Sequence, residues 1–265
     1  MPLISVLLFL LTLVWPINLA QAQSAEFSSS YSEFNSAYDA YQTAQAEFEI
    51  KRGQYIASKT VAATGEARNA TYKLLQARDE AVVKYLSMIR KRLAEAVGVS
   101  TTDREIAFSN LDTEIAWFED HQSNTSSAGS LEDMVDDSKE ASDQYSKTTL
   151  RIIYKTLGQI AIGKELYLRE KQASVVDELK VKLGDIRVDG EIDTDLFDRS
   201  IIDIANTINR SRGKNADATI LLATFDKQAN AKVYDDIVFR ISEGVAYLKD
   251  ANLSLREIIF RIIRG

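Results

Sequence analysis

This chain of 265 residues contains a single imidazole, His121, and no cysteine. Those two facts narrow its chemistry at once. Without thiolates, one histidine cannot complete an ordinary zinc site, and a metal there would need several carboxylates to assist. A thiolate nucleophile is excluded, and so is any lipid-modified N-terminal cysteine. A Ser-His-Asp triad would have to use His121, yet no G-x-S-x-G elbow and no α/β pattern surround it. The expected role of His121 is a residue of a helix C-terminus, beside the carbonyl pole. The phosphate-cradling loops G-x-G-x-x-G and G-x-x-x-x-G-K-[ST] are missing as well. The abundant reactive groups are carboxylates, 39 Asp and Glu in all. Glycoside cleavage needs a spatial pair of them, and nothing in the spacing singles one out.

One acidic run stands out. GDIRVDGEIDTD, residues 184–195, carries Asp185, Asp189, Glu191, Asp193 and Asp195 around Gly190. Locally it resembles the calcium loop of EF-hand and dockerin modules. Asp185 matches position 1, Asp189 position 5, Gly190 the tight turn, Ile192 position 8 and Asp193 position 9. Two positions depart from that pattern: Arg187 stands at position 3 and Leu196 at position 12. The resemblance covers about 12 residues, the length of one such loop, and implies Ca²⁺ binding by those five acids. The alternative is an acidic, solvated turn between helices. Beyond Ca²⁺, no cofactor is expected.

The elements that would hold such residues are helices. Pro occurs twice, at Pro2 and Pro16, and Gly only 11 times. Turns are usually punctuated by those residues, so an all-β or loop-rich fold is hard to reconcile with this chain. The N-terminal stretch places Phe27, Tyr31, Phe34, Tyr38, Tyr41, Phe48 and Tyr55 at steps of four, three and seven. That is a heptad seam, expected to pack against neighbouring helices. The other reading is a platform of exposed rings for carbohydrate or peptide.

The seam resumes at Leu75, Val82, Leu86, Ile89, Leu93 and Ala96. The spacing therefore predicts one helix over about 26–97, with Gly53 and Gly65 as candidate kinks or close approaches. Thr102 with Glu105 reads as the capping box of a second helix, with Ala107, Leu111, Ile115 and Phe118 on its apolar face. Residues 121–130 read as a loop, and Ser130 with Asp133 opens a third helix reaching about Leu183. Beyond the acidic run, a fourth helix is expected to end at Ser211-Arg212-Gly213. A fifth spans about 216–250, and a last short one is capped by Ser254 and Glu257. No solenoid repeat is present.

Composition and charge complete the reading. A net charge of −7 argues against nucleic acid as the principal partner. Residues 1–22 hold no charged side chain and end in Ala20-Gln21-Ala22, as a cleaved secretory signal does. An uncleaved N-terminal anchor is the alternative, because residues 3–20 are just long enough to span a bilayer. Either way the remainder is expected outside the cytoplasm: secreted, periplasmic or at the cell surface.

The expected organisation is all-α. It comprises a leader (1–22), a long-helix bundle or coiled-coil-like hairpin (23–184), an acidic loop (185–195) and a smaller helical part (196–265). The expected function is that of a non-enzymatic structural or protein-interaction module, through a protein partner or self-association. Rival readings are a calcium-dependent binding module and a membrane-associated protein. The latter would use the leader or the amphipathic C-terminal helix, with Leu255, Ile258, Ile259 and Ile262 on one face.

Overall fold

The computed structural model describes residues 25–127, 129–189, 195–225 and 231–264. The fold is all-α, built from α1 (Ala25–Ser58), α2 (Val61–Ala94), α3 (Thr101–Asn124), α4 (Leu131–Gln144), α5 (Leu150–Asp189), α6 (Asp195–Thr224) and α7 (Ala231–Arg264). A single π-helical turn, Tyr145–Thr149, joins α4 to α5. Contacts divide the chain into two compact units. One contains residues 25–95 and 100–157, the other 96–99 and 158–264. The division falls inside α5, between Leu157 and Gly158.

The first unit opens with a correction. Instead of one helix over 26–97, α1 and α2 form an antiparallel hairpin. The ion pairs Glu26–Lys91, Glu33–Lys84, Glu47–Lys73 and Lys51–Glu66 fix its register: as one residue number rises the other falls. The chain reverses at Lys59, whose φ is +44°. Thr60 then caps α2 by accepting from the Ala63 N–H. No Gly or Pro marks this turn, so composition conceals it. Gly53 and Gly65, the suspected kinks, lie in helix interiors with open space where a Cβ would be.

Helix α3 starts two residues earlier than the Thr102–Glu105 box predicts. Its cap is Ser100, which accepts from the Asp103 N–H and donates to the Asp103 carboxylate. The Ser130–Asp133 capping box of α4 forms as expected.

The second unit packs α5, α6 and α7 around Val176, Leu179, Ile204, Leu248, Leu255 and Ile259. Helix α6 does not end at Ser211-Arg212-Gly213. It runs on to Thr224, because Ser211 continues the buried seam Ile201, Ile204, Ile208, Asn215 and Ala218. Likewise α7 is one helix through Ser254. Its seam, Ile237, Ile241, Leu248, Ala251, Leu255, Ile258 and Ile262, is buried throughout. The apolar face that suggested a membrane-bound C-terminus is therefore covered by the α5–α7 core.

Candidate functional site

A cleft of about 590 Å³ opens in the first unit, within the size range of small-ligand sites. Helix α1 supplies Phe34, Tyr38 and Tyr41 to its wall, and α2 supplies Arg78, Val82 and Tyr85. Phe118 of α3, Ser138 and Ser142 of α4, Tyr145 of the π turn and Tyr154 of α5 close the remaining sides. The tyrosines give the cleft an apolar body edged with hydroxyls.

The rings come from the heptad seam. Along α1, Phe34 and Tyr38 lie 5.9 Å apart between centroids, Tyr38 and Tyr41 6.2 Å, and Phe34 meets Tyr85 of α2 at 5.1 Å. At the start of α1, Phe27 is buried beneath the Arg92 guanidinium and stacks on Tyr31. Tyr41, Phe48 and Tyr55 are half-buried. Tyr31 and Tyr38, however, are 51% and 44% exposed. The seam thus does two jobs: some rings pack the hairpin, and others remain open along the cleft and the helix surface.

Polar groups behind the cleft are tightly engaged. Arg78 Nε donates to Asp79 Oδ1 at 3.0 Å, and Nη1 donates to the Ser138 carbonyl and hydroxyl. Asp79, fully buried, faces His121 Nδ1 at 2.6 Å. His121 Nε2 donates to the Asp137 carbonyl at 3.1 Å, and Trp117 stacks on the imidazole. Both ring nitrogens are therefore occupied. His121 does lie in the last turn of α3, but its ring serves a buried bridge between α2, α3 and α4, more than a surface cap. Arg78 Nη2 is buried with no hydrogen-bond partner among the described residues.

The π turn has a local purpose. Gln144 and Thr149 both bind the buried Glu114 carboxylate, Gln144 Nε2 at 3.0 Å and Thr149 Oγ1 at 2.6 Å. Residues five apart sit about 140° from each other on an α-helix. Widening the turn to i→i+5 bonding brings both onto one side. It also sets Tyr145 against the cleft, where burial, followed by the neighbouring Tyr154, raises the phenol above its usual range.

A second buried carboxylate, Glu165 of α5, lies in the other unit. It accepts from Ser211 and Asn215 of α6 and from Arg169 Nη1 at 3.3 Å. Burial raises its pKa, against the lowering influence of Ser211, Arg169 and Asn215.

Sequence reasoning missed Asp79, Glu114, Glu165, Ser211 and Asn215. Each occupies a seam position, a polar residue continuing an apolar stripe. Glu114, for instance, falls between Leu111 and Phe118, and His121 follows Phe118 by three, in the same four-three rhythm. That placement was the available signal.

The acidic run 184–195 lies partly within α5 and partly outside the described residues. Helix α5 continues through Gly184 to Asp189, so the first five loop positions are helical. Asp185 pairs with Lys182 at 3.6 Å, and Arg187 with Asp198 of α6. Glu191 and Asp193 lie outside the described residues, as do the side chains of Asp189 and Asp195. Among the described residues, no three acidic or imidazole groups gather as a metal site would require. No described helix is long and apolar enough to cross a membrane; residues 1–22 lie outside the described part.

Compared with family models, curated proteins and solved structures, the chain matches none.

Proposed function

We propose that the chain is an exported, non-enzymatic helical module that receives a protein partner in its ring-lined cleft. The observation that carries this reading is the cleft itself: about 590 Å³, walled by rings from four helices and the π turn, with Arg78 in its lining. Rigid aromatic side chains lose little conformational entropy on contact, which makes them effective anchors. Arg78 Nη2 lacks an acceptor among the described residues, and leaving such a donor buried costs about 1–3 kcal/mol. A carbonyl or carboxylate from a partner would remove that cost. The buried acids favour binding over turnover, since Asp79, Glu114 and Glu165 are already held by side-chain donors.

The export part of the proposal rests on the uncharged run 1–22 and its A-x-A end. Intact mass of the protein recovered from outside the cytoplasm is expected to correspond to a chain beginning at Gln23. Recovery only from the cytoplasm at full length would refute export.

The binding part is tested by photo-crosslinking in the native cell. A benzophenone side chain in place of Tyr38 is expected to give a discrete protein adduct. The same group in place of Ile202, exposed on α6, is expected to give none. Equal labelling at the two positions, or no adduct at Tyr38, would remove the cleft from consideration.

A further inference from the structure

The turn of the α1–α2 hairpin combines basic residues with exposed aliphatic side chains. Between Glu49 and Glu66 the chain contains Lys51, Arg52 and Lys59 and no acid, although the whole protein carries a net charge of −7. Over the same stretch no residue is buried. Its aliphatic side chains are bare: Ile50 is 60% exposed, Ile56 56% and Val61 91%. Lys51 pairs with Glu66, while Arg52 and Lys59 have no acidic partner among the described residues.

We propose that this turn docks on an anionic lipid bilayer. Charge complementarity selects the surface, because basic residues without neighbouring acids are drawn to acidic headgroups. The disposition of the aliphatics selects a bilayer over a folded protein. Ile50 and Ile56 are six residues apart on α1, which places them about 120° apart around the helix. Val61 follows the turn on α2. A flat partner would cover one of these directions; a fluid interface surrounds all of them. Ile56 and Val61 enter the headgroup boundary, where interfacial helices bury about 5–10 Å. Tyr55 lies at its level, and the stems of Arg52 and Lys59 extend so that their charges stay with the phosphates.

Flotation of the full chain with phosphatidylcholine vesicles, with and without phosphatidylglycerol, tests this. The wild type is expected to float with the anionic vesicles and to stay down with the neutral ones. Each basic residue near such a surface strengthens binding about fivefold. Arg52→Glu with Lys59→Glu is therefore expected to lower partition more than tenfold. Ile56→Ser with Val61→Ser should also lower it more than tenfold, and Ile202→Ser with Ile220→Ser on α6 should leave it unchanged. All substituted positions are exposed, so circular dichroism melts should match the wild type. Flotation of both tip variants at the wild-type level would overturn the proposal, as would absence of wild-type binding to anionic vesicles. A tip-dependent dimer in sedimentation, with lipid binding unaltered, would overturn it in favour of a second copy.

Discussion

Lys59 holds the hairpin turn in a conformation that suits it poorly. At φ +44° an L-residue crowds its Cβ against the following carbonyl, a cost of about 1–2 kcal/mol that glycine avoids. Lys59→Gly is expected to stabilise the protein by about 1 kcal/mol, seen as a higher urea midpoint with unchanged slope. Glu165 makes the opposite kind of demand. Burial raises its folded-state pKa above the ordinary glutamate value of 4.5, so the folded state holds its proton longer than the unfolded state does. Stability contributed by the protonated form is complete below that value and declines as pH rises from it towards the raised folded one. Thermal melts across that window should show the wild type losing stability. Glu165→Gln, which has no proton to lose, should lose less, and identical slopes would show that Glu165 is not the source.

At the scale of elements, caps and close approaches decide where helices begin and meet. Ser100, not Thr102, accepts from the first turn of α3. Ser100→Ala is expected to cost about 1 kcal/mol, the typical value for a lost N-cap. Thr102→Ala should cost little, and equal effects in chemical denaturation would restore the later boundary. Glycines divide in the same way. Gly98 has φ +74°, and a Cβ there would lie 1.9 Å from the Gly163 carbonyl oxygen. Gly98→Ala should therefore destabilise by about 2 kcal/mol or more. Gly53→Ala, in open helix interior, should stabilise by about 0.5–1 kcal/mol. Differential scanning calorimetry with both variants checks the contrast.

Across the whole molecule, the core is two cores. Phe118 anchors the first unit at the floor of the cleft, and Leu179 lies at the centre of the second; both are 1% exposed or less. Truncation to alanine should cost about 3–5 kcal/mol for Phe118 and about 2–5 kcal/mol for Leu179. Native-state hydrogen exchange should show protection falling mainly in α2–α4 for Phe118→Ala and in α5–α7 for Leu179→Ala. Uniform loss in both variants would mean that the two groups of helices unfold as one. The same division separates the cleft from the buried Glu165 network, so each can be altered with the other as an internal control.

Seam spacing by itself determined that this chain is all helix and which stripes turn inward. Helical periodicity is a local property: residues three and four apart share a face whatever lies opposite. The aromatics at 27–55, the Ser130 cap and the apolar stripes of α6 and α7 were legible on that ground. Only tertiary structure decided what each stripe meets. It folded α1 back on α2 at a turn without Gly or Pro, because four cross-hairpin ion pairs and the Phe34–Tyr85 contact join residues distant in sequence. It also placed Asp79, His121, Glu114 and Glu165 inside, since a polar residue on an apolar stripe is tolerated when another helix brings its partner. The cleft belongs to the same class of fact, being the space left where five α-helices and the π turn converge, and no single segment encodes it.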